Sequence, residues 1–222
     1  MYKHIVKVIK TDFVTHSVKR FVVEKPHGYT FLPGQATDVS INRPGLEDEL
    51  RPFTFTSINT ANYLEFIIKI YRDHNGITEK LLNINIGDEL ILHEVFGTIR
   101  FKGQGLFIAG GAGITPFIAI LRQLGFENKL KGNRLLFANR AGNDIILRDE
   151  LKSMLNGSYT DVLEITNDGN AVKGFIDREL LKQHITPETK YYYICGPDKF
   201  TAIMIENLLS LGVEQSQIVR EQ

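Results

Sequence analysis

Cysteine is almost absent from this sequence, since Cys195 is the only one among 222 residues. One cysteine cannot form an intrachain disulfide, and it cannot supply the four thiolates that hold an iron–sulfur cluster. The six histidines show no paired spacing of the H-E-x-x-H kind, which is the pattern of a helical zinc site. The sequence therefore predicts a protein without a metal site.

An excess of charge of one sign is also absent, because 26 Lys and Arg residues balance 26 Asp and Glu residues. A neutral chain gives no reason to expect binding to nucleic acid or to an anionic membrane surface. With 43% hydrophobic and 10% aromatic residues, the chain can bury a core and is not expected to be disordered.

An uninterrupted apolar run long enough for a membrane span is missing as well. The nineteen uncharged residues between Lys102 and Arg122 include five glycines and one proline. A spanning helix needs about 20 continuous apolar residues, whereas this glycine cluster divides the run into a strand, a turn and a helix start. The first residues, MYKHIVKVIK, alternate in polarity like a strand and not like a secretory signal. We therefore expect a cytoplasmic protein without a membrane span.

Apolar and polar residues alternate in the first half of the chain, up to about Phe101. The alternating segments are HIVKVIK, SVKRFVVEK, ATDVSIN, RPFTFTS, YLEFIIKIY and DELILHE. In YLEFIIKIY, one face carries Leu64, Phe66, Ile68 and Ile70, and the other carries Glu65, Lys69 and Tyr71. A series of short alternating strands is typical of an antiparallel barrel or sandwich. One short helix is expected at 78–83.

Strands and helices alternate in the second half. The candidate strands are LFIAG, RLLFAN, VLEIT, YYYIC and QIVRE, and the candidate helices are TPFIAILRQLG, ILRDELKSML, DRELLKQHI and DKFTAIMIENLLSLG. This order predicts a parallel sheet with helices on both sides. We therefore expect two domains, residues 1–102 and 103–222.

Two special turns follow candidate strands of the second half. GGAGITP, residues 110–116, follows LFIAG, and CGPDKF, residues 195–200, follows YYYI. Ligands of open α/β sheets bind at the carboxyl ends of the strands, where helix N-termini favour phosphate. The alternatives are a plain tight turn for the first segment and an inert, buried cysteine for the second. HNGITEKLL, residues 74–82, is either a third phosphate-type site or only a capped short helix.

The order of these motifs carries a family resemblance. RPFTFTS, IKIYRDHNGIT, GGAGITP, ANRAGNDIILRDEL and CGPDKF follow one another in a way that resembles the ferredoxin–NADP reductase superfamily of flavin-dependent oxidoreductases. ANRAGNDIILRDEL is most similar to the NADH-dependent cytochrome and nitrate reductase branch. The resemblance implies a six-stranded antiparallel FAD barrel followed by a nucleotide-binding α/β domain.

The resemblance also implies an activity. Hydride would pass from NADH or NADPH to FAD, and electrons would leave to a separate acceptor such as flavodoxin, ferredoxin or a cytochrome. The alternative is an NAD(P)H:flavin reductase that uses free flavin as a substrate, which Phe53 favours because most relatives carry a tyrosine there. A partner-binding subunit without turnover is the third possibility, but similar subunits carry a cysteine cluster that this chain lacks.

The roles of the barrel residues follow from the resemblance. Arg51 would pair with the flavin pyrophosphate, to which a guanidinium is well suited. Phe53 would pack against the flavin, and Thr54 would donate a hydrogen bond near the nitrogen that receives hydride. The remaining cofactor-binding residues expected in this domain are Pro52, Lys69, Tyr71, Gly76, Ile77 and Thr78.

The second domain would bind the nicotinamide nucleotide. The expected contacts are Gly110, Gly111, Gly113 and Thr115 with the nucleotide, Asn139 and Arg140 with the adenosine, and Cys195, Gly196 and Pro197 with the nicotinamide. Thr54 and Cys195 are the expected catalytic residues, which tune and orient the rings without transferring protons. Asp168, in EITNDGN, would repel a 2′-phosphate and accept a hydrogen bond from a ribose hydroxyl. NADH is therefore expected over NADPH, although Arg140 and Lys173 supply positive charge.

Overall fold

The computed structural model describes residues 3–72, 76–97 and 99–221. The first half of the chain forms six antiparallel strands with a short helix between the fifth and the sixth. These elements are β1 (His4–Thr15), β2 (Val18–Glu24), β3 (Ala36–Ile41), β4 (Arg51–Thr54), β5 (Tyr63–Lys69), α1 (Ile77–Lys80) and β6 (Glu89–Phe96).

The six strands close into a barrel. Their order is β4-β3-β6-β1-β2-β5, and the two end strands meet through an antiparallel bridge between Phe55 and Phe66. Next to this bridge, the Thr56 N–H donates to the Glu65 carbonyl at 2.8 Å. Phenylalanines fill the interior, and Phe21, Phe55 and Phe66 have no exposed surface. The predicted six-stranded antiparallel barrel is confirmed.

The second half forms a six-stranded parallel sheet with helices on both faces, which is also confirmed. The sheet order is β10-β9-β8-β7-β11-β12, and separate apolar clusters cover its two sides. The elements are β7 (Gly105–Gly110), α2 (Thr115–Phe126), β8 (Arg134–Asn139), α3 (Arg148–Leu155), β9 (Tyr159–Leu163), β10 (Val172–Lys173), α4 (Arg178–His184), β11 (Tyr191–Cys195), α5 (Asp198–Ser210) and β12 (Ile218–Arg220).

Two predicted boundaries were wrong in detail, and one short strand was not predicted. The ninth strand ends at Leu163, whereas the predicted strand VLEIT extends to Thr166. The strand also begins earlier than predicted, and it buries a carboxylate. That carboxylate, Asp161, is 2% exposed and is neutralised by Arg148 at 2.7 Å and Lys152 at 3.2 Å. The two-residue strand β10 gave no sequence signal. The short helix α1 begins at Ile77, while its preceding turn at 74–75 lies outside the described residues.

The two halves share part of their core. On β5, Leu64, Phe66 and Ile68 face the barrel interior as the alternation predicts. The opposite face is also buried, because Ile67 joins the apolar cluster that contains Phe117 of α2. A strand that the sequence predicts to be half-buried is therefore buried on both sides.

The segment between β6 and β7 is fixed to the parallel sheet. The Tyr193 hydroxyl on β11 accepts hydrogen bonds from the N–H groups of Lys102 and Gly103 at 2.9 and 3.0 Å. Phe101 stacks on the same ring, with 5.9 Å between the centroids. None of the helices in the described part of the chain is long and apolar enough to cross a bilayer.

Candidate functional site

A large cavity lies between the barrel and the parallel sheet, and we call it the interdomain cleft. Its volume is about 1050 Å³, at the upper end of the range for small-molecule sites. From the barrel it is lined by His16, Ser17, Val18, Lys69 and Tyr71. From the second domain it is lined by residues that follow the carboxyl ends of β7, β8, β9 and β11. This is the edge at which open α/β sheets bind ligands.

The two glycine-containing turns meet at the floor of the cleft. A Cβ atom on Gly113 would lie 2.3 Å from the Cys195 carbonyl oxygen, and one on Gly196 would lie 2.6 Å from the Phe200 ring. Only glycine permits such close packing. Gly111 has φ +53°, and its missing side chain leaves open space within 4 Å. The backbone of Gly111 is therefore accessible to a ligand, as a phosphate-binding turn requires.

Helix α2 begins directly after this turn. Thr115 donates its hydroxyl to the Ala112 carbonyl at 3.1 Å, so it shapes the turn and does not line the cleft. Pro116 occupies the first helical turn, where a missing N–H costs nothing. The first N–H groups of a helix have no partner inside it, and together with the helix dipole they favour an anion.

Asn139 ends β8 and lines the far wall of the cleft. It is 8% exposed, and its Nδ2 has no hydrogen-bond partner among the described residues. A buried donor without a partner costs about 1–3 kcal/mol. A ligand acceptor in the cleft would remove that cost, so this amide fits the predicted contact with a nucleotide.

The charges around the cleft suit an anionic ligand. Lys69, Arg140 and Lys199 all line it, and Lys69 Nζ lies 5.4 Å from the centroid of the Tyr71 ring. His16 of the barrel approaches Asp144 of the second domain, with 3.6 Å between Nε2 and Oδ1. That pair connects the two sides of the cleft.

Cys195 and Pro197 belong to the turn after β11. Pro197 and Gly196 line the cleft, whereas Cys195 does not. The cysteine is partly buried, and burial, reinforced by the nearby Glu221, raises the pKa of its thiol to about 12. A thiol that stays protonated can contact and orient a ring, but it cannot act as a base or a nucleophile at neutral pH.

The predicted flavin residues of β4 lie outside the interdomain cleft. Arg51 is exposed and donates to the Leu50 carbonyl at 2.7 Å. Pro52 is exposed, Thr54 is half-buried, and Phe53 packs on the barrel core.

The edges of β4 and β5 remain open to a ligand. Among the described residues the two strands pair only at the Phe55–Phe66 bridge. Arg51 lies on one of these edges and Lys69 on the other. Open strand edges flanked by two cations fit a planar ring system that carries a pyrophosphate.

The short helix α1 presents a further group of predicted residues. Gly76 precedes it without a side-chain cap, and Thr78 is half-buried in its first turn. Ile77 is 2% exposed and faces the barrel core, so only its backbone can contact a ligand. None of the three lines the interdomain cleft.

Asp168 does not line the cleft either. Its carboxylate accepts hydrogen bonds from Arg148 Nη2 at 2.8 Å and from the Asn170 N–H at 3.0 Å. Arg148 holds the pKa of Asp168 below its ordinary value. Sequence reasoning missed Glu164, which directly follows β9 and does line the cleft. The predicted strand VLEIT placed Glu164 in its interior, so the sequence did not indicate that this residue lies at the ligand-binding end of the strand.

Phe175 was also missed. It lines the cleft and is 72% exposed, beside Gly174 at φ +117°. An exposed aromatic ring on a cleft wall offers a stacking surface for a planar base. No sequence pattern marks this position, because it follows a strand of only two residues.

Known proteins resemble the chain over almost its whole length. The Oxidoreductase FAD-binding domain model matches residues 5–101, and the Oxidoreductase NAD-binding domain model matches residues 107–205. The chain is 29% identical to NADH-cytochrome b5 reductase 1 of Aspergillus terreus, with 95% of this chain and 78% of the relative covered. It is 28% identical to the reductase component of propane 2-monooxygenase of Rhodococcus jostii, with 90% and 57% covered.

Solved structures share the fold. The flavohem-like FAD/NAD binding domain of nitric oxide dioxygenase from Vibrio cholerae superposes with a TM-score of 0.87 at 22% identity, covering 98% of this chain and 97% of that one. A ferredoxin NADP+ reductase from Neisseria gonorrhoeae with bound FAD and NADP gives 0.85 at 22% identity, covering 99% and 98%.

Proposed function

Since the chain belongs to the ferredoxin–NADP reductase-like superfamily and is an FAD-dependent NAD(P)H oxidoreductase, we propose that it passes electrons from NADH through FAD to a separate protein acceptor. The observation that carries this proposal is the interdomain cleft. It joins Lys69 and Tyr71 of the barrel to the glycine turns of β7 and β11 in one space. A dinucleotide bound there lies beside the open edges of β4 and β5.

The barrel residues would hold FAD. Arg51 and Lys69 would neutralise the pyrophosphate, and Phe53 and Tyr71 would pack on the planar ring. Bound FAD supplies the redox chemistry, because it accepts hydride from nicotinamide and releases electrons one at a time. The protein orients the rings and excludes water, so its contribution is positioning.

NADH is the proposed donor for two reasons. The relatives from Aspergillus terreus and Arabidopsis thaliana are named as NADH-dependent reductases. The segment after β9 also places the Glu164 carboxylate on the cleft wall, where it would disfavour an additional phosphate on the ribose. Initial rates with NADH and NADPH at equal concentration test this preference, and a clear advantage for NADPH would contradict it.

The acceptor is proposed to be a small redox protein such as a cytochrome, a ferredoxin or a flavodoxin. The named relatives reduce cytochrome b5 or serve a monooxygenase, which supports a protein acceptor. Cytochrome b5, a ferredoxin and a flavodoxin can be compared at equal concentration for NADH-dependent reduction. Reduction of dyes without reduction of any of these proteins would argue against the proposal.

The test of the flavin is the visible spectrum of the purified protein. We expect flavin absorbance near 450 nm that disappears when NADH is added without oxygen. A colourless protein that reduces added FAD or FMN would instead establish the second candidate, a reductase of free flavin. Phe53 favours this second candidate, because it has no hydroxyl with which to hold the flavin.

A further inference from the structure

The guanidinium of Arg122 joins the two domains. On its own side, Nε and Nη2 bind both carboxylate oxygens of Glu150 on α3, at 2.6 and 3.0 Å. On the barrel side, Nη1 donates to Glu65 Oε1 at 2.5 Å and to the Thr56 carbonyl at 2.9 Å. One side chain therefore binds both domains with charge-assisted hydrogen bonds.

Neighbouring barrel residues form hydrogen bonds with Glu65, the carboxylate that Arg122 binds. Thr56 donates its hydroxyl to Glu65 Oε1 at 2.8 Å, and Ser57 accepts from the Glu65 N–H at 3.1 Å. Glu65 is 4% exposed, and Thr56 and Ser57 are no more exposed. A buried carboxylate needs such partners, because leaving one uncompensated is strongly destabilising.

The contact lies between the two predicted cofactor motifs. Arg122 is on α2, the helix that begins at the glycine turn of residues 110–113. Thr56 is two residues beyond Thr54, at the end of the Arg51–Thr54 strand. The guanidinium therefore connects the helix that starts at the nucleotide site to the segment that carries the flavin site.

Burial makes this connection rigid. Burial by itself disfavours the charged guanidinium, but the hydrogen bonds and charges of Glu150 and Glu65 raise the pKa of Arg122 above its ordinary value. The arginine is therefore charged at every pH at which the protein folds. Glu65, at the barrel end of these bonds, is 4% exposed, and the Arg122 side chain is 19% exposed.

We propose that Arg122 is a positioning residue that fixes the nicotinamide site relative to the flavin site through its bonds to Glu65 and the Thr56 carbonyl. This role rests on the proposed function. Arg122 touches neither cofactor site directly, and it acts by holding α2 against the flavin strand. Hydride transfer is sensitive to this geometry, because a displacement of about 1 Å can cost roughly 100-fold in rate.

The first experiment measures flavin reduction by stopped flow in R122Q, E65Q and the double variant. We expect R122Q to keep its FAD content and to keep its NADH dissociation constant within about threefold, while flavin reduction at saturating NADH slows about 10- to 100-fold. The double variant should be no slower than R122Q, because each substitution already breaks the same contact, the one between Arg122 and Glu65. R178Q removes an exposed guanidinium, which pairs with Glu179 at 3.0 Å, and it should reduce flavin at the wild-type rate.

Three results would overturn the proposal: a wild-type rate in R122Q, a slow rate explained by lost FAD, or additive effects of the two substitutions. If R122Q does not fold, flavin reduction in R122K and E65Q tests the proposal instead. Slower reduction with full FAD content in these variants supports the role, and an unchanged rate in both rejects it.

A second measurement requires no cofactor. In the apoprotein of R122Q, the amides of residues 55–57 should exchange hydrogen at least about tenfold faster than in the wild type, while those of β7 and β8 stay protected. Equal exchange at residues 55–57 would show that Arg122 does not hold the strand. A wild-type protein that NADH fails to reduce would contradict the proposed function alone, because the exchange comparison would still decide the role of Arg122.

Discussion

Arg51 and Cys195 differ in their exposure to solvent, and this difference affects what each side chain can do. Arg51 is exposed at the edge of the barrel sheet, so its guanidinium can reach a ligand. Cys195 is partly buried in a turn that packs against Gly113, and burial keeps its thiol neutral. The arginine is therefore suited to binding an anion, whereas the cysteine is not suited to acid–base or nucleophilic chemistry.

Replacing Arg51 with alanine should release the flavin. A hydrogen bond to a charged group contributes about 1.5–3 kcal/mol, so we expect FAD affinity to fall about 10- to 100-fold while the barrel stays folded. Flavin absorbance relative to protein absorbance after gel filtration measures the loss, and R178A serves as the control. If R51A purifies with full flavin content, the assigned role of Arg51 is wrong.

The Cys195 thiol should resist alkylation in the folded protein. With a pKa of about 12, only about one thiol in ten thousand is ionised at pH 8, against roughly a quarter in an unfolded chain. We expect iodoacetamide to react on the order of 1000-fold more slowly before urea is added than after.

The pH dependence of the alkylation rate provides an internal check. Below the folded pKa, the native alkylation rate should rise about tenfold for each pH unit. C195S provides the blank, because the chain has no other cysteine. Equal rates in folded and unfolded protein would show that burial does not control this thiol.

At the scale of elements, helix α2 takes part in three features of the structure: the glycine turn, the shared core and the contact with the barrel. Its start forms the glycine turn, its apolar face contributes Phe117 and Leu121 to the shared core, and Arg122 reaches the barrel. The turn at its start tolerates no side chain at Gly113, because the Cys195 backbone occupies that space. The position of α2 therefore depends on the close approach of the Gly113 and Cys195 backbones as well as on packing.

Substituting Gly113 with alanine should push the two turns apart. The new Cβ would lie 2.3 Å from the Cys195 carbonyl oxygen, and overpacking of this kind costs about 1–3 kcal/mol. We expect the free energy of unfolding in urea to fall by that amount and the KM for NADH to rise. G169A is the matched control, because nothing lies within 4 Å of that position. A G113A variant as stable as G169A would show that the turns can move apart freely.

At the scale of the whole molecule, ion pairs hold carboxylates in both domains. Arg20 binds Asp12 between neighbouring strands of the barrel, and Arg148 binds Asp168 in the second domain. These bonds hold the pKa values of Asp12 and Asp168 below the ordinary range. For Asp88, the Asn85 N–H is the main cause of the lowered pKa, and Arg43 adds to it.

Acid should therefore destabilise the protein. A carboxyl whose pKa is lower in the folded state contributes stability above the unfolded pKa, about 3.9, and loses it as pH falls through the folded pKa. Burial also lowers the pKa of His93 and of His184, so the folded state loses stability as pH falls below about 6.5. We expect the free energy of unfolding to decline gradually from about pH 6.5 and more steeply below about pH 4. Urea titrations across this range measure it. D12N should show a shallower decline, and stability that rises in acid would contradict the assignment.

The order and type of most elements follow from local patterns in the chain. Alternation fixes which residues of a strand share a face, and glycine marks the turns where backbones approach, so both barrel and parallel sheet could be predicted. The family motifs also identified Lys69, Gly111 and Asn139, which the cleft brings together. These features are local, because they depend on neighbours within a few residues along the chain.

The way in which the two halves meet depends on contacts between residues that are distant in sequence, and it is seen only in the folded structure. The sequence could not show that Arg122 binds Glu65, which is 57 positions away, that Arg148 occupies the Asp168 carboxylate, or that Glu164 and Phe175 line the cleft. Each depends on which surfaces pack together, and a charged residue on a strand or helix looks the same in sequence whether it faces water or another domain. The physical reason is that burial and ion pairing are set by contacts between distant segments.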